Sequence, residues 1–303
     1  MPIALGAAVV AISTAAAVIK LAQPLPPEVV ACLRVSVTAL GLLLIGRRAT
    51  LRALRSLLGS PRDAGWTALA GLCLAAHFGA WIASLSLTTV VRSVALVSTQ
   101  PLFAGLLARA LGDRAPRRLY LGTLVAIAGT VLMIEPGESG GAWLGDLLAL
   151  SGALTAAIYL AIGRRVHARL GDALPLEGYL VCVNLVAAAS LGLFALALGS
   201  AFVPEQVEVG DYLAVVWLGL IPGIVGHGLL NWAVRRVPVH TVSLAVLLEP
   251  AGAALIAWVL LGEGVGLREA LGAGVLLLGV ALGLPRRRHG RSRRDIDDPQ
   301  PQR

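Results

Sequence analysis

Ten long apolar runs constrain this chain more than any other feature of its sequence. Its 303 residues are 57% hydrophobic and only 14% charged, with a mean hydropathy of +0.82. A helix needs about 20 mostly apolar residues to cross a bilayer, so ten spans would use about 200 residues and leave only short connections. The runs lie at about 3–21, 28–46, 65–84, 90–111, 118–134, 143–163, 177–199, 211–232, 240–261 and 267–284.

The composition of the runs favours helices. They are rich in Gly and Ala and lack the regular alternation that the strands of a membrane barrel require. A helix satisfies its own backbone hydrogen bonds in lipid. The first run lacks a basic flank and nine more follow, so we interpret it as a retained helix and not a signal peptide. We therefore predict an all-α integral membrane protein with ten transmembrane helices.

The positive charges are distributed as expected for a multi-pass protein of the cell (inner) membrane. All but four of the 25 Lys and Arg residues fall in alternate connections or in the tail, and acids such as Glu135 and Glu205 occupy the intervening connections. The positive-inside rule then places both termini in the cytoplasm. This placement accounts for the net charge of +8 without a nucleic-acid partner. Residues 285–303 form a basic tail that we expect to be disordered.

Two parts of the chain resemble each other. Residues 112–133 align with residues 262–283 at a shift of 150, with seven of 22 positions identical. A five-helix unit crosses the membrane an odd number of times, so its second copy must be inserted upside down. We therefore predict two inverted five-helix repeats, at 1–135 and 143–284, an arrangement common in secondary transporters.

Matched prolines indicate a helix interruption in each repeat. Pro101 and Pro250 are related by a shift of 149, and each follows a polar residue, Gln100 or Glu249. Proline lacks an N–H and leaves the carbonyl four residues earlier without its helical partner. Interrupted helices of this kind form substrate sites near the bilayer midplane. We expect both interruptions to border the site.

Two histidines occupy corresponding positions in the repeats. His77 and His227 are related by a shift of 150, and Trp81 and Asn231 follow them by four residues, on the same helix face. These residues could line a cavity and contact substrate or a proton, or they could join helices by ordinary hydrogen bonds. A metal site is disfavoured because two histidines without a third convergent ligand make a weak site.

Two charged residues lie within apolar runs. Glu249 is near the centre of the ninth run, where a charge costs roughly 3 kcal/mol. Its carboxyl could couple or orient substrate and carry a proton, or simply be hydrogen-bonded at a kink. Arg34 lies about six residues inside the second run, where a structural counter-ion or an anionic substrate group could hold it. Lys20, Arg92 and Arg268 lie near helix ends, and we expect them to snorkel.

Other sequence features indicate structure rather than chemistry. Cys32, Cys73 and Cys182 lie in predicted helices without metal-ligand spacing, so we expect free thiols. The glycines of the fifth, sixth and tenth helices are expected to permit close packing. No phosphate-binding G-x-x-x-x-G-K-[ST] motif occurs, so neither ATP nor another cofactor is implied.

Several stretches together resemble the drug/metabolite transporter superfamily, specifically its ten-helix EamA-type permeases. They are "VIKLAQPLPPEVVACLRVSVTALGLLL", "HFGAWIASLSLTTV", "QPLFAGLLARALGDR", "GHGLLNWAVRRVPVHTVSLAVLLEPAGAALIAWVLLGEG" and the two glycine-spaced closing helices. The resemblance covers residues 3–284. It implies two inverted repeats, cytoplasmic termini, a cavity lined largely by the third, fourth, eighth and ninth helices, and export of small metabolites or amino acids.

The sequence thus predicts a secondary transporter, an exporter working by alternating access, and not an enzyme. Its expected partners are a small-molecule substrate, the lipid bilayer and a coupling proton, with the oligomeric state open. The candidate substrate or coupling residues are Arg34, His77, Trp81, Gln100, His227, Asn231 and Glu249. Two alternatives stay open: a membrane enzyme acting on a lipid-linked substrate, which should carry a catalytic group near a membrane surface, and a sensor or partner subunit that does not transport.

Overall fold

The computed structural model describes residues 2–110, 117–133, 141–234, 242 and 245–283, and in these segments the regular structure is helical, without strands. The predicted tail at 285–303 lies outside them. The α-helices are α1 (Pro2–Leu21), α2 (Pro27–Ile45), α3 (Arg47–Leu58), α4 (Pro61–Ser84), α5 (Val90–Val97), α6 (Gln100–Ala110), α7 (Arg117–Met133), α8 (Ala142–Leu170), α9 (Leu176–Ala197), α10 (Val209–Leu218), α11 (His227–Val234), α12 (Glu249–Leu261) and α13 (Leu267–Gly283).

The apolar helices make this a multi-pass membrane protein. Seven helical segments within the described residues are long and apolar enough to cross a bilayer. Each of the ten predicted runs contains helix, but α7, α12 and α13 have only 17, 13 and 17 residues. The all-α membrane class is confirmed, whereas the count of ten crossings stays a prediction.

Local sequence explains where several helices begin. Pro27 and Pro61 occupy the first position of α2 and α4, where a missing N–H leaves no hydrogen bond unmade. The Thr89 hydroxyl caps α5 by accepting a hydrogen bond from the Arg92 backbone N–H at 3.2 Å. Glu208 and Asp211 form a reciprocal capping box at α10.

A helix replaces the expected connection after the second run. Residues Arg47–Leu58 form α3, whose inward face consists of Thr50, Ala53 and Leu57. Their spacing of three and four residues is that of one helix face. The arginines assigned to a loop by charge alone therefore lie on an amphipathic helix, with Leu51 and Leu58 exposed beside them.

A turn precedes each of the two matched prolines. Between α5 and α6 the two residues before Gln100 form a turn, and the two residues before Glu249 form an equivalent turn ahead of α12. Pro101 and Pro250 each take the second position of the new helix, where their missing N–H is tolerated. Each proline therefore lies in the first turn of a half-helix and not in the middle of a kinked one.

The eighth run is also irregular, which was not predicted. Residues Gly219–Gly226 form a π-helical segment between α10 and α11, with Pro222 inside it. The segment packs on α2, where the Thr38 hydroxyl donates to the Gly219 carbonyl at 3.0 Å. π-Helical turns widen a helix locally and frequently accompany functional sites.

Glycines bring α7 and α13 into backbone contact. A Cβ at Gly279 would lie 2.6 Å from the Gly122 carbonyl oxygen, and one at Gly272 would lie 2.8 Å from that of Gly129. Within α8, a Cβ at Gly152 would meet the backbone and side chain of Trp81 on α4. The predicted packing role of these glycines is confirmed.

Candidate functional site

Arg34 is buried against aromatic side chains inside the bundle. The residue is 2% exposed, and its guanidinium carbon lies 4.1 Å from the Phe78 ring centroid and 5.5 Å from the Trp81 ring centroid. At these distances the cation is attracted to the negative faces of the rings. Its Nη1 is buried and makes no hydrogen bond with any residue the structure describes.

His77 completes this side of the site. Its Nδ1 lies 2.9 Å from the Gly152 carbonyl oxygen on α8. Because a carbonyl only accepts, Nδ1 carries the hydrogen, and Nε2 of the neutral ring is an acceptor. The His77 ring also stacks on Trp81, with centroids 6.1 Å apart and an interplanar angle of 8°, so the predicted shared face is correct.

Trp81 supplies a second buried donor. The residue is 5% exposed, and its indole Nε1 makes no hydrogen bond within the described segments. An indole N–H can only donate. Arg34 and Trp81 therefore present neighbouring donors that no acceptor in this part of the chain satisfies.

Glu249 and His227 approach the site from the second half of the chain. Both lie within electrostatic range of Arg34, and His227 also lies within that range of His77. No hydrogen bond joins Arg34 to Glu249 in the described structure. Glu249 is half-buried at the first position of α12, where the positive end of the helix dipole favours a carboxylate.

The structure therefore brings together five residues on α2, α4 and α12, which we call the Arg34 cluster: Arg34, His77, Phe78, Trp81 and Glu249. Phe78 was not predicted, although its position next to His77 placed it beside the predicted polar face. Also missed was Ser13 on α1, whose hydroxyl donates to the Glu249 backbone carbonyl at 3.3 Å and ties α12 to α1.

The remaining predicted site residues lie around this cluster. His227 is exposed at the start of α11, directly after the π-helical segment. Gln100 is half-buried at the first position of α6, which corresponds to the position of Glu249 in α12. It takes part in none of the contacts described above. The side chain of Asn231 lies outside the part that the structure describes.

Charged residues form a second group at the end of the bundle that is predicted to face outward. Lys20 Nζ lies 2.8 Å from Glu263 Oε2, and the other oxygen of Glu263 accepts the Val90 backbone N–H at 2.6 Å. Arg92 Nη2 lies 2.5 Å from Asp146 Oδ2.

The group is completed by Glu269, whose carboxylate accepts the Thr89 hydroxyl. We call Lys20, Thr89, Arg92, Asp146, Glu263 and Glu269 the end network. The expectation that Lys20 and Arg92 snorkel is wrong, because each is held by an acid from the second half of the chain. Arg92 is only 4% exposed. At the opposite end, Arg169 Nε pairs with Asp63 Oδ1 at 2.9 Å.

A bundle of apolar helices with interrupted spans and a buried cationic site is typical of membrane transport proteins. The profile of the EamA-like transporter family matches this chain twice, at residues 2–135 and 143–284. The chain therefore belongs to the EamA-like transporter family, within the drug/metabolite transporters that its sequence resembles.

Similar proteins agree with this assignment. An uncharacterised transporter of Archaeoglobus fulgidus is 24% identical over 67% of this chain and 70% of its own length. The uncharacterised inner membrane transporter YedA of Escherichia coli is 25% identical over 62% of this chain, and the uncharacterised transporter YdfC of Bacillus subtilis is 26% identical over 61%. The match spans 59% of the length of each of these two bacterial relatives.

A solved structure shares the fold. A protein crystal structure with 21% sequence identity matches 92% of this chain and 94% of its own with a TM-score of 0.61. Together, the family and its transporter relatives indicate a membrane transporter rather than an enzyme.

Proposed function

We propose that this protein is a secondary transporter that exports small metabolites or amino acids across the cytoplasmic membrane by alternating access. The observation that carries the proposal is the Arg34 cluster: a cation that is 2% exposed lies inside an apolar bundle, within electrostatic range of Glu249 at the start of an interrupted helix. Buried ionisable groups are expensive in a membrane and mark substrate or ion pathways.

Helix packing supports the proposal of two inverted repeats at 1–135 and 143–284. Gly122 faces Gly279 and Gly129 faces Gly272, so α7 and α13 run antiparallel. At the shift of 150, Gly122 corresponds to Gly272 and Gly129 to Gly279. Each contact is therefore the counterpart of the other, as in a pair of elements related by a two-fold axis.

Contacts between the halves support the same symmetry. In the first half, α4 packs on α8 and α9. In the second half, the π-helical segment belongs to the helix that corresponds to α4. This segment packs on α1 and α2. The matching turns before Gln100 and Glu249 add a third correspondence. Such repeats allow a site between them to open to either side by rocking.

In this mechanism Glu249 orients substrate or carries a coupling proton, and His77 and His227 supply polar contacts from the two halves. Both termini would lie in the cytoplasm, following the arginine distribution. The end network joins the halves at the outer end, so its release would accompany opening toward the outside.

The test is a comparison of bacteria that overproduce the wild type, Glu249→Gln or Glu205→Gln at matched membrane levels. Glu205 is exposed in a connection and serves as the control for the same substitution. We expect wild type and Glu205→Gln to enrich a solute outside the cells and Glu249→Gln to lower that enrichment about tenfold, because loss of one charged interaction costs about 1.5 kcal/mol. Solutes in the medium are measured by mass spectrometry.

Each other outcome has a definite meaning. Full activity of Glu249→Gln would show that its carboxylate is structural while leaving export in place. Absence of any enriched solute with wild-type protein present in the membrane would contradict export.

A further inference from the structure

We propose that Arg34 and Trp81 form a carboxylate-binding subsite, and that the transported solute is a small molecule bearing a carboxylate. This inference rests on the proposed transport function and names its substrate class. It starts from two donors, Arg34 Nη1 and Trp81 Nε1, which are both buried and make no hydrogen bond in the described structure.

An unsatisfied buried donor is costly, about 1–3 kcal/mol, and more when it is charged. The two aromatic rings beside Arg34 attract its charge through their faces, but they offer no oxygen to its N–H groups. The Trp81 indole can only donate. Two neighbouring donors of this kind fit a ligand that only accepts, and an ionised carboxylate has two oxygens that accept and none that donates.

The local charge favours a carboxylate over a phosphate. Arg34 is the cation of the cluster, and the carboxyl group of Glu249 lies within electrostatic range of it. Lys20 and Arg92 of the end network are already paired with acids. A carboxylate can bind a single guanidinium and is repelled less by Glu249 than a phosphate dianion, which usually needs several charged donors.

A cavity lies beside the helices that carry the two donors. A space of about 180 Å³ is lined in part by Val30 and Ile82. Val30 is one helical turn from Arg34 on α2, and Ile82 is next to Trp81 on α4. Arg34 and Trp81 do not line this cavity, but its wall includes a residue one helical turn from Arg34.

A second cavity continues to the end of the bundle. It has a volume of about 410 Å³, shares Gln23 and Ser86 with the first cavity, and is bordered by Lys20 and Thr89 of the end network. The two spaces adjoin each other and extend from the end network to Val30, one helical turn before Arg34.

The cluster also offers acceptors opposite the donors. His77 Nε2 is an acceptor in the neutral ring, and the Glu249 carboxylate is another. A solute whose carboxylate binds Arg34 and Trp81 could direct an ammonium or hydroxyl group toward them. The carboxylate is the part that the two unsatisfied donors require.

The experiment measures the thermal stability of the purified full-length protein in detergent with potassium acetate, acetamide or potassium chloride at equal concentrations. Acetate and acetamide have similar shapes, but only acetate carries the charge, and chloride controls for ionic strength. We expect a rise in Tm with acetate that saturates and exceeds the effect of both controls, because ligand binding to the folded state raises stability. Equal effects of acetate and acetamide, or of acetate and chloride, would overturn the subsite.

Trp81→Phe tests the geometry without removing Arg34. This variant keeps an aromatic ring beside the guanidinium and removes the indole N–H. We expect about tenfold weaker acetate binding, the effect of losing one hydrogen bond to a charged group. The matched control is Trp217→Phe, which loses an indole N–H that donates to the Thr14 hydroxyl at 3.1 Å on the exposed side of the bundle. Wild-type acetate binding in Trp81→Phe would contradict the proposal.

The solute found by the export assay separates this inference from the proposed function. An exported solute without a carboxylate would overturn the inference and leave transport intact. Saturable acetate binding in a protein that exports nothing would keep the subsite and contradict export.

Discussion

The end network and the Arg34 cluster both bury cations inside an apolar bundle, but they treat them differently. In the end network Lys20 and Arg92 have carboxylate partners within 2.8 Å, supplied by Glu263 and Asp146. In the cluster the Arg34 guanidinium lies on aromatic rings, and one of its nitrogens makes no hydrogen bond with the residues that the structure describes. The comparison separates charges that hold helices together from a charge that is available to a ligand.

The difference also predicts how each region responds to mutation. Removing one member of a satisfied buried pair leaves an uncompensated charge, which costs far more than the pair itself contributes. A buried cation that lacks some of its hydrogen bonds carries a desolvation cost. Removing that cation removes this cost together with the cation's favourable contacts, so the two effects oppose each other. Stability should therefore depend on the end network, and solute binding on the Arg34 cluster.

The largest expected effect follows from breaking the Arg92–Asp146 pair. Asp146→Ala removes the carboxylate that lies 2.5 Å from the guanidinium of Arg92, a residue only 4% exposed. We expect a loss of about 3 kcal/mol in the free energy of unfolding, the magnitude typical of a broken buried pair. The measurement is unfolding of the purified protein by denaturant in detergent.

The double variant Arg92→Met/Asp146→Leu is the control for this prediction. Apolar side chains of similar size remove both charges, so most of the lost stability should return. If the double variant is as unstable as Asp146→Ala, packing rather than the uncompensated charge determines the effect.

A contrasting result is expected for Arg34→Met. Loss of the cation–π contacts, worth up to about 2 kcal/mol, is offset by removal of a buried donor that costs about 1–3 kcal/mol. The free energy of unfolding should therefore stay within about 1 kcal/mol of wild type. Solute export at matched membrane levels should be lost. Destabilisation as large as that of Asp146→Ala, with export retained in the surviving protein, would reverse the assigned roles.

Sequence alone predicted the features that depend on chemistry within one segment. Proline cannot donate a backbone hydrogen bond, so Pro101 and Pro250 revealed the two interruptions without knowledge of their neighbours. The shared face of His77 and Trp81 followed from their spacing of four residues. Close contacts at Gly122 and Gly279 followed from the small size of glycine.

Features that depend on partners far along the chain could not be predicted in this way. Arg92 lies at a helix end, and only the packing of α5 on α8 shows that Asp146 meets it. The π-helical segment depends similarly on Thr38 of α2, although Pro222 between two glycines was a local signal. That Arg34 lies on Phe78 required the relative position of two helices.

The smallest effect on stability is expected from the more exposed pair of the end network. The side chains of Lys20 and Glu263 are 18% and 19% exposed, so Glu263→Gln should cost less than about 1 kcal/mol. Its effect on access should be larger, because this substitution weakens a contact between the two halves beside the second cavity. A cysteine introduced at Gln23, which borders both cavities, reports that access.

The measurement is the labelling rate of Gln23→Cys in intact cells by a thiol reagent that does not cross the membrane, in a chain whose Cys32, Cys73 and Cys182 are replaced by alanine. We expect Glu263→Gln to increase the labelling rate, because weakening the Lys20–Glu263 ion pair increases the population of the outward-open state. Glu205→Gln, outside the end network, should leave the rate unchanged. An unchanged labelling rate in Glu263→Gln would show that the contact between Lys20 and Glu263 does not limit opening. Labelling only after cell lysis would place this end of the bundle in the cytoplasm.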